Sequence, residues 1–267
     1  MPVIRLICID VDGTLVGRSG LVAEAVWEAA AAARARGIRL AICTGRPGLG
    51  LALEWASRLD AHGWHVFQNG ASVLNPATRE SKSTPLPGAS LAVLIDRARA
   101  TGRVLEVYGD TDYAVESDSQ RSREHAALLG LEFNTRSFES LAQPPVRAQW
   151  LIPHHELATV LAESHPLLDV IPSTSPVMPE TMFVNMTAAG VGKDSGVRTV
   201  ATAYGIDLGE VMMVGDALND LSAMHAVGFA VAMGNAEPEL QAMARLVVGD
   251  VEDNGLLQAF AAAMDDA

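Results

Sequence analysis

Ile9-Asp10-Val11-Asp12-Gly13-Thr14 closes an apolar run that starts at Val3. Residues 3 to 9 read as a buried β-strand, and Gly13-Thr14 ends it. Two carboxylates at a strand's carboxyl end are costly. Side chains alternate along a strand, so Asp10 and Asp12 are expected to begin on the same side. Each then disfavours ionisation of the other unless a cation or a proton lies between them. The stretch points to a metal between the acids and to one of them as a nucleophile.

The chain continues in the same rhythm. A helix is expected over 21–36, where Val22, Val26, Ala29, Ala30 and Ala33 recur at helical spacing and Gly37 suits the C-terminal cap. Ile38 to Cys43 reads as a second buried strand, Pro47 is placed to open a helix that runs to about Asp60, and His65 to Gln68 reads as a third strand. Such a β-α-β-α-β order predicts a parallel sheet. After Asn69-Gly70 the pattern changes to hairpin-like pairs and short helices, and it returns to the first rhythm from Gly192. The fold class expected is α/β: a parallel-sheet core of residues 1–83 and 185–267, with an inserted α+β domain over 84–184. Pro85, Pro87, Gly190 and Gly192 punctuate the expected hinges.

Composition narrows the function. Nineteen basic against 32 acidic residues give a net charge of −13, a poor match for sequence-independent nucleic-acid binding. Two cysteines, Cys8 and Cys43, are too few for a disulfide scaffold and read as buried reduced thiols. No apolar run approaches the ~18–20 residues that span a bilayer, and the N-terminus lacks signal-peptide features. The expectation is a cytoplasmic protein with no membrane or nucleic-acid partner, a monomer or weak homo-oligomer.

Four clusters fall at strand ends or helix starts of the parallel part: Asp10/Asp12/Thr14, Thr44/Gly45/Arg46, Lys193, and Asp216/Asn219/Asp220. Ligand sites of open α/β sheets lie beyond the carboxyl ends of the strands, so the fold gathers these residues at one edge. Three or four carboxylates form a hard-oxygen cage suited to Mg²⁺, which binds through one or two carboxylates plus a phosphate. Thr44 and backbone N–H groups can hold phosphoryl oxygens. An Asp after a strand is also a common turn or cap residue. A cap explains one acid but not the pair Asp10 and Asp12, and it remains a fair reading of Asp220. Lys193 ahead of a helix opposes the dipole and calls for a local anion. Arg46 stays open between substrate phosphate, a salt bridge and solvent.

Asp10-Val11-Asp12-Gly13-Thr14, Thr44-Gly45-Arg46, Lys193 and Gly215-Asp216-Ala217-Leu218-Asn219-Asp220 resemble the four motifs of the haloacid dehalogenase-like (HAD) phosphohydrolase superfamily. Phe67-Gln68-Asn69-Gly70-Ala71 is similar to its Cof-like, type IIB subfamily, and the insertion resembles a C2-type cap on a Rossmann-like core. The resemblance implies roles. Asp10 would be the nucleophile and form an aspartyl-phosphate. Asp12 would protonate the leaving alcohol and then deprotonate water. Asp10, the backbone carbonyl of Asp12, and Asp216 would hold Mg²⁺, with Asp220 supporting the metal's waters or orienting Lys193. Thr44 and Lys193 would stabilise the phosphoryl oxygens. Gly13, Thr14, Gly45, Arg46 and Asn219 would complete the substrate site.

The function expected is a Mg²⁺-dependent phosphomonoesterase acting on small phosphorylated metabolites, sugar phosphates leading by family analogy. A phosphomutase or specialised sugar-phosphate phosphatase is the nearest rival, separated by labelled-water incorporation into released phosphate. A non-catalytic metabolite-binding regulator has no use for Asp12 as proton donor. In the insertion, Glu106, Tyr108, Trp150 and the loop 173–180 are candidate leaving-group contacts, although Tyr108 and Trp150 also read as core. His154-His155 lacks a third ligand, Asn254-Gly255 reads as a turn, and Met212, Met213, Met224 and Met233 read as packing.

Overall fold

The computed structural model describes residues 3–175 and 177–265. In chain order the first elements are β1 (Leu6–Ile9), α1 (Glu24–Ala35), β2 (Arg39–Ile42), α2 (Gly50–Asp60), β3 (His65–Phe67) and β4 (Ser72–Leu74). There follow α3 (Gly88–Thr101), β5 (Val104–Tyr108), β6 (Tyr113–Val115), α4 (Gln120–Leu129), β7 (Arg147–Ile152), α5 (Leu157–Ala162), β8 (Leu168–Ser173) and β9 (Met182–Ala188). The chain ends with α6 (Lys193–Tyr204), β10 (Val211–Gly215), α7 (Leu221–Ala226), β11 (Phe229–Ala232), α8 (Pro238–Met243), β12 (Leu246–Val247) and α9 (Leu256–Met264).

These elements form two compact units. One comprises Met1–Gly45, Leu53–Lys82 and Gly192–Ala267, the other Arg46–Ala52 and Ser83–Val191. The boundaries differ from the expected ones for local reasons. β9 runs on to Ala188, which pairs with Leu168 of β8, so a break at 184 would cut a strand. The segment from Arg46 groups with the second unit, where the Arg46 guanidinium donates to the Leu128 carbonyl (3.5 Å).

In the first unit a parallel sheet has the order β12-β11-β10-β1-β2. All four residues of β1 are fully buried, as expected of a strand with helices on either side. β1 pairs with β2 from Leu6↔Arg39 to Ile9↔Ile42 and with β10 from Leu6↔Val211 to Ile9↔Val214. Chain order therefore reverses at β1, and such a switch point opens a crevice beyond the strands' carboxyl ends. α1 buries Val26, Trp27, Ala30 and Ala33 at helical spacing, and Gly37 (φ +84°) follows its end. α1 packs on α9 and α6 on α7.

The third strand does not extend the parallel sheet. β3 pairs antiparallel with β4 in a separate two-stranded sheet and meets the chain after β2 through an isolated Cys43↔Val66 bridge. The Cys43-Thr44-Gly45 turn ends β2 at Ile42, too soon for a longer ladder. α2 begins at Gly50 rather than at Pro47, because Leu49 N–H closes a tight turn onto the Pro47 carbonyl (2.8 Å). After β7 the chain forms a 3₁₀ turn, His154–Glu156, and then α5.

In the second unit a five-stranded antiparallel sheet has the order β6-β5-β7-β9-β8. One face, with Leu105, Val107, Ala148, Trp150, Ile152, Val184 and Met186, packs on Leu94 and Ala98 of α3 and Val160 of α5. Strand alternation puts Glu106, Tyr108, Arg147, Gln149 and Asn185 on the other face, with Glu106 paired to Gln149 and Gln149 to Asn185. Among the described residues no helix is long and apolar enough to cross a membrane.

His65 ties the end of β2 to β3. It is fully buried; its Nδ1 accepts from Ile42 N–H (3.1 Å) and its Nε2–H donates to the Asp60 carbonyl (2.8 Å). A proton on Nδ1 would face a donor, and burial holds the imidazole down at about 4, from an ordinary 6.5. The unfolded chain takes up this proton below pH 6.5 while the folded one does not, so stability is lost as pH falls from 6.5 toward about 4. The loss is on the order of 3 kcal/mol by linkage. Urea unfolding at a series of pH values checks this: His65→Gln, less stable at neutral pH, should lose distinctly less than the wild type across that window.

Candidate active site

The site begins where β1 stops. Asp10 N–H donates to the Val214 carbonyl (2.9 Å), and the chain then turns sharply, with Leu15 and Val16 N–H both donating to the Val11 carbonyl (3.0 and 2.8 Å). Strand alternation ends at Ile9, and beyond it the two acids differ in burial. Asp10 is buried, 5 % exposed, whereas Asp12 is exposed. Gly13 has φ +88°, and a Cβ there would lie 2.2 Å from Asp216 Oδ2, so the turn requires glycine. The buried Thr14 hydroxyl donates to Asp216 Oδ1 (2.8 Å) and joins the β1 loop to the β10 loop.

Lys193, the first residue of α6, is 1 % exposed. Its ammonium donates to Asp10 Oδ1 (2.6 Å) and Asp220 Oδ1 (2.5 Å). The anion that its place at a helix start demanded is a pair of carboxylates. Burial alone would lower Lys193, but Asp10 and Asp220 outweigh it and hold the lysine above its usual range. Asp220 is committed at both oxygens, since Oδ2 accepts from the N–H groups of Asp216 and Ala217 (3.2 Å each).

Asp10, Asp216 and Asp220 each place a carboxylate oxygen within 4.8 Å of the others. Burial first, then the charge of Asp220, raises Asp10 well above the carboxylate range, against the opposing pull of Lys193. Burial and Asp220 push Asp216 up to about 6 despite the hydrogen bond from Thr14. Three acids facing one ammonium leave a net charge of −2 when all are ionised. Lys193 and Thr14 each take one oxygen of their acids, and among the described residues Asp10 Oδ2 and Asp216 Oδ2 accept no hydrogen bond. The donor set is all oxygen, and its charge and spare lone pairs fit a hard divalent cation. The carboxylate of Asp12 is not part of this cluster.

Thr44 follows β2 and is buried; its N–H donates to the Val66 carbonyl, and its own carbonyl accepts from Asn69 N–H (3.0 Å each). Asn69 Oδ1 accepts from Asn219 Nδ2 (3.4 Å), so Thr44, Gly45 and Asn219 meet around Asn69. Arg46 belongs to the second unit. There, Trp150 lies in the apolar core. Glu106, 1 % exposed, accepts on Oε2 from the Tyr108 hydroxyl (2.5 Å), lies 2.7 Å from His125 Nδ1, and receives Gln149 Nε2 (3.5 Å). The Arg147 guanidinium stacks on Tyr108 (4.4 Å) and donates to Asn185 Oδ1 (2.9 Å). Within the loop 173–180, Pro176 lies outside the described residues.

Sequence reading passed over Asn235. Its Nδ2 donates to the Gly13 carbonyl (2.8 Å) and its Oδ1 accepts from Val251 N–H (2.9 Å), pinning the loop after β1. Glu252 holds the same loop at its far end through Arg18 N–H (2.7 Å). Asn235 follows β11, so the strand-end rule that found the other residues would have found it too.

A family model for haloacid dehalogenase-like hydrolases matches residues 7–260. The chain is 28% identical over 262 residues to a putative phosphatase, YxeH, of Bacillus subtilis, covering 96% of each. It superposes on the crystal structure of a haloacid dehalogenase-like hydrolase from Bacteroides thetaiotaomicron with a TM-score of 0.84 at 22% identity, covering 96% of this chain and 98% of the other. For the HAD subclass IIB sugar phosphatase BT4131 the TM-score is 0.79 at 24% identity, with coverage of 96% and 97%. The parallel core, the four strand-end clusters and the match along nearly the whole chain agree: it belongs to the haloacid dehalogenase-like hydrolase family.

Proposed function

We propose that the protein is a Mg²⁺-dependent phosphomonoesterase that hydrolyses small phosphorylated metabolites through an aspartyl-phosphate on Asp10. The observation that carries the reading is the Asp10 carboxylate: Oδ1 is fixed by Lys193, and Oδ2 accepts no hydrogen bond among the described residues. One oxygen is oriented while the other keeps its lone pairs, as a nucleophile needs. In the first step an Asp10 oxygen attacks phosphorus and the bond to the leaving alcohol breaks, its electron pair going to the alcohol oxygen, which takes a proton from Asp12. In the second, water attacks the same phosphorus as Asp12 removes its proton. The Asp10–phosphorus bond breaks and inorganic phosphate leaves. Asp12 is exposed where Asp10 is buried, and that contrast supports splitting the roles.

Asp10 and Asp216, with the backbone carbonyl of Asp12, would hold Mg²⁺, which when bound neutralises charge on the phosphoryl oxygens. Asp220 has no oxygen to spare and serves by holding Lys193. Lys193 and Thr44 stabilise the phosphoryl group, and Gly13, Thr14, Gly45 and Asn219 shape its seat. The second unit is proposed as a cap that supplies leaving-group contacts and excludes water. Sugar phosphates are the proposed substrate class. A subclass IIB sugar phosphatase of like fold supports it.

Asp10→Asn should lose at least about 10³-fold in kcat with p-nitrophenyl phosphate and Mg²⁺. Asp12→Asn should lose about 10²–10⁴-fold, with the larger loss on sugar phosphates, whose leaving groups are poorer. Turnover retained by Asp10→Asn excludes the mechanism; equal losses on both substrates for Asp12→Asn exclude the split of roles. Chelation with EDTA should abolish activity and added Mg²⁺ restore it; full activity in EDTA argues against the metal.

Asp220→Ala should strip Lys193 of one of two buried partners, at about 3–5 kcal/mol. Thermal unfolding should fall by several degrees and kcat should drop with it. Unchanged unfolding and kcat would show that Lys193 needs no second carboxylate.

A further inference from the structure

The turn after β3 is strained where it touches the site. Gln68 and Asn69 both have φ +54°, and Gly70 follows at +96°. Two successive non-glycine residues in the left-handed region are uncommon, and such strain persists only where its surroundings enforce it, often at ligand sites. Here the surroundings are the catalytic clusters. Asn69 N–H donates to the Thr44 carbonyl (3.0 Å), and its Oδ1 accepts from Asn219 (3.4 Å). A Cβ on Gly70 would lie 1.9 Å from the Gly192 carbonyl and 3.3 Å from Lys193 N. One short turn thus contacts the residues after β2, the start of α6 and the loop after β10.

A turn alone would be made more easily by glycine at 69, which enters this region at no steric cost. Asparagine adds a carboxamide, and its place is specific. A Cβ at Gly45 would lie 3.0 Å from Asn69 Oδ1 and 3.3 Å from Nδ2, so the carboxamide occupies the room that glycine at 45 leaves. Its oxygen is engaged by Asn219, while its NH₂ has no acceptor among the described residues. That NH₂ sits beside Thr44-Gly45, two residues already read as part of the phosphoryl seat.

On the phosphomonoesterase reading, we propose that Asn69 is a further substrate-contacting residue: its NH₂ donates to a non-bridging phosphoryl oxygen, and Asn219 orients it by holding its oxygen. The acceptor is charged, so the bond is of the stronger kind, and it gains as charge builds on those oxygens in the transition state. Asn219 then acts partly through Asn69, and the strain at 68–69 is the cost of delivering the amide.

Asn69→Gly keeps the backbone conformation and removes the amide; Asn69→Asp keeps the shape and replaces the donor with a charge that repels phosphate. Both are measured for kcat/KM with p-nitrophenyl phosphate and Mg²⁺, for competitive inhibition by inorganic phosphate, and for thermal unfolding. Asn69→Gly should unfold at or above the wild-type temperature, yet lose about 10- to 100-fold in kcat/KM and weaken phosphate inhibition by a similar factor. Asn69→Asp should lose more on both. If Asn69→Gly stays within about twofold of wild type in kcat/KM and phosphate inhibition, the residue only forms the turn and the proposal is overturned. A loss matched by a fall of several degrees in unfolding overturns it equally. Asp10→Asn, run alongside, keeps the two ideas apart: turnover in that variant rejects the phosphomonoesterase reading, whereas an inactive Asp10→Asn beside a fully active Asn69→Gly rejects only the role of Asn69.

Discussion

A buried ammonium held between two carboxylates is the interaction on which the catalytic core depends. Lys193 is almost wholly removed from water and bonded to Asp10 and Asp220. Desolvating any of these groups alone would be prohibitive, so each makes the others tolerable. The contacts join three distant stretches of chain: the end of β1, the start of α6 and the loop after β10. The lysine also stands where the helix dipole is unfavourable to a cation, and only the two acids offset that. Asp220, fixed in turn by two backbone N–H groups, aims the lysine at Asp10.

The balance of charge is left incomplete, and that is where chemistry enters. Asp10 and Asp216 are both raised by burial and by the charge of Asp220, and one lysine does not offset three acids. The excess is a demand for positive charge at a place rich in hard oxygens. The polar network of the second unit is of another kind. Glu106 is ringed by Tyr108, His125 and Gln149, and Arg147 by Tyr108 and Asn185, within a single sheet and helix. Its polar groups largely satisfy one another, whereas the core's await a partner.

Much of the fold was legible because buried parallel strands are written as continuous apolar runs and surface helices as periodic ones. β1, β2 and α1 lie within the stretches where the patterns put them. Failures came where local pattern competes with pairing geometry. β3 is as buried as β1, yet it pairs with β4, because β2 ends too early to offer it a ladder. α2 starts three residues beyond Pro47, since Leu49 N–H closes a tight non-helical turn onto the Pro47 carbonyl first.

For the site, the sequence by itself determined the inventory. Acids at the ends of β1 and β10, a threonine after β2 and a lysine at a helix start follow from the rule that ligands gather beyond the carboxyl ends of parallel strands. Only the tertiary structure decided how these residues divide. Strand alternation suggested that Asp10 and Asp12 would act side by side, but β1 ends at Ile9 and the next turn leaves one acid buried and the other exposed. Which carboxylate oxygens are spent on Lys193, Thr14 and backbone N–H groups, and which remain open, depends on contacts across up to 202 residues of chain. The partners of Asn235 and Asn69 are backbone atoms and side chains of other loops, which neither residue's own segment records. Residue type and spacing record what a segment can bury; they do not record which distant atoms complete its hydrogen bonds, and in this core that completion separates a carboxylate with one oxygen engaged, Asp10, from one with both engaged, Asp220.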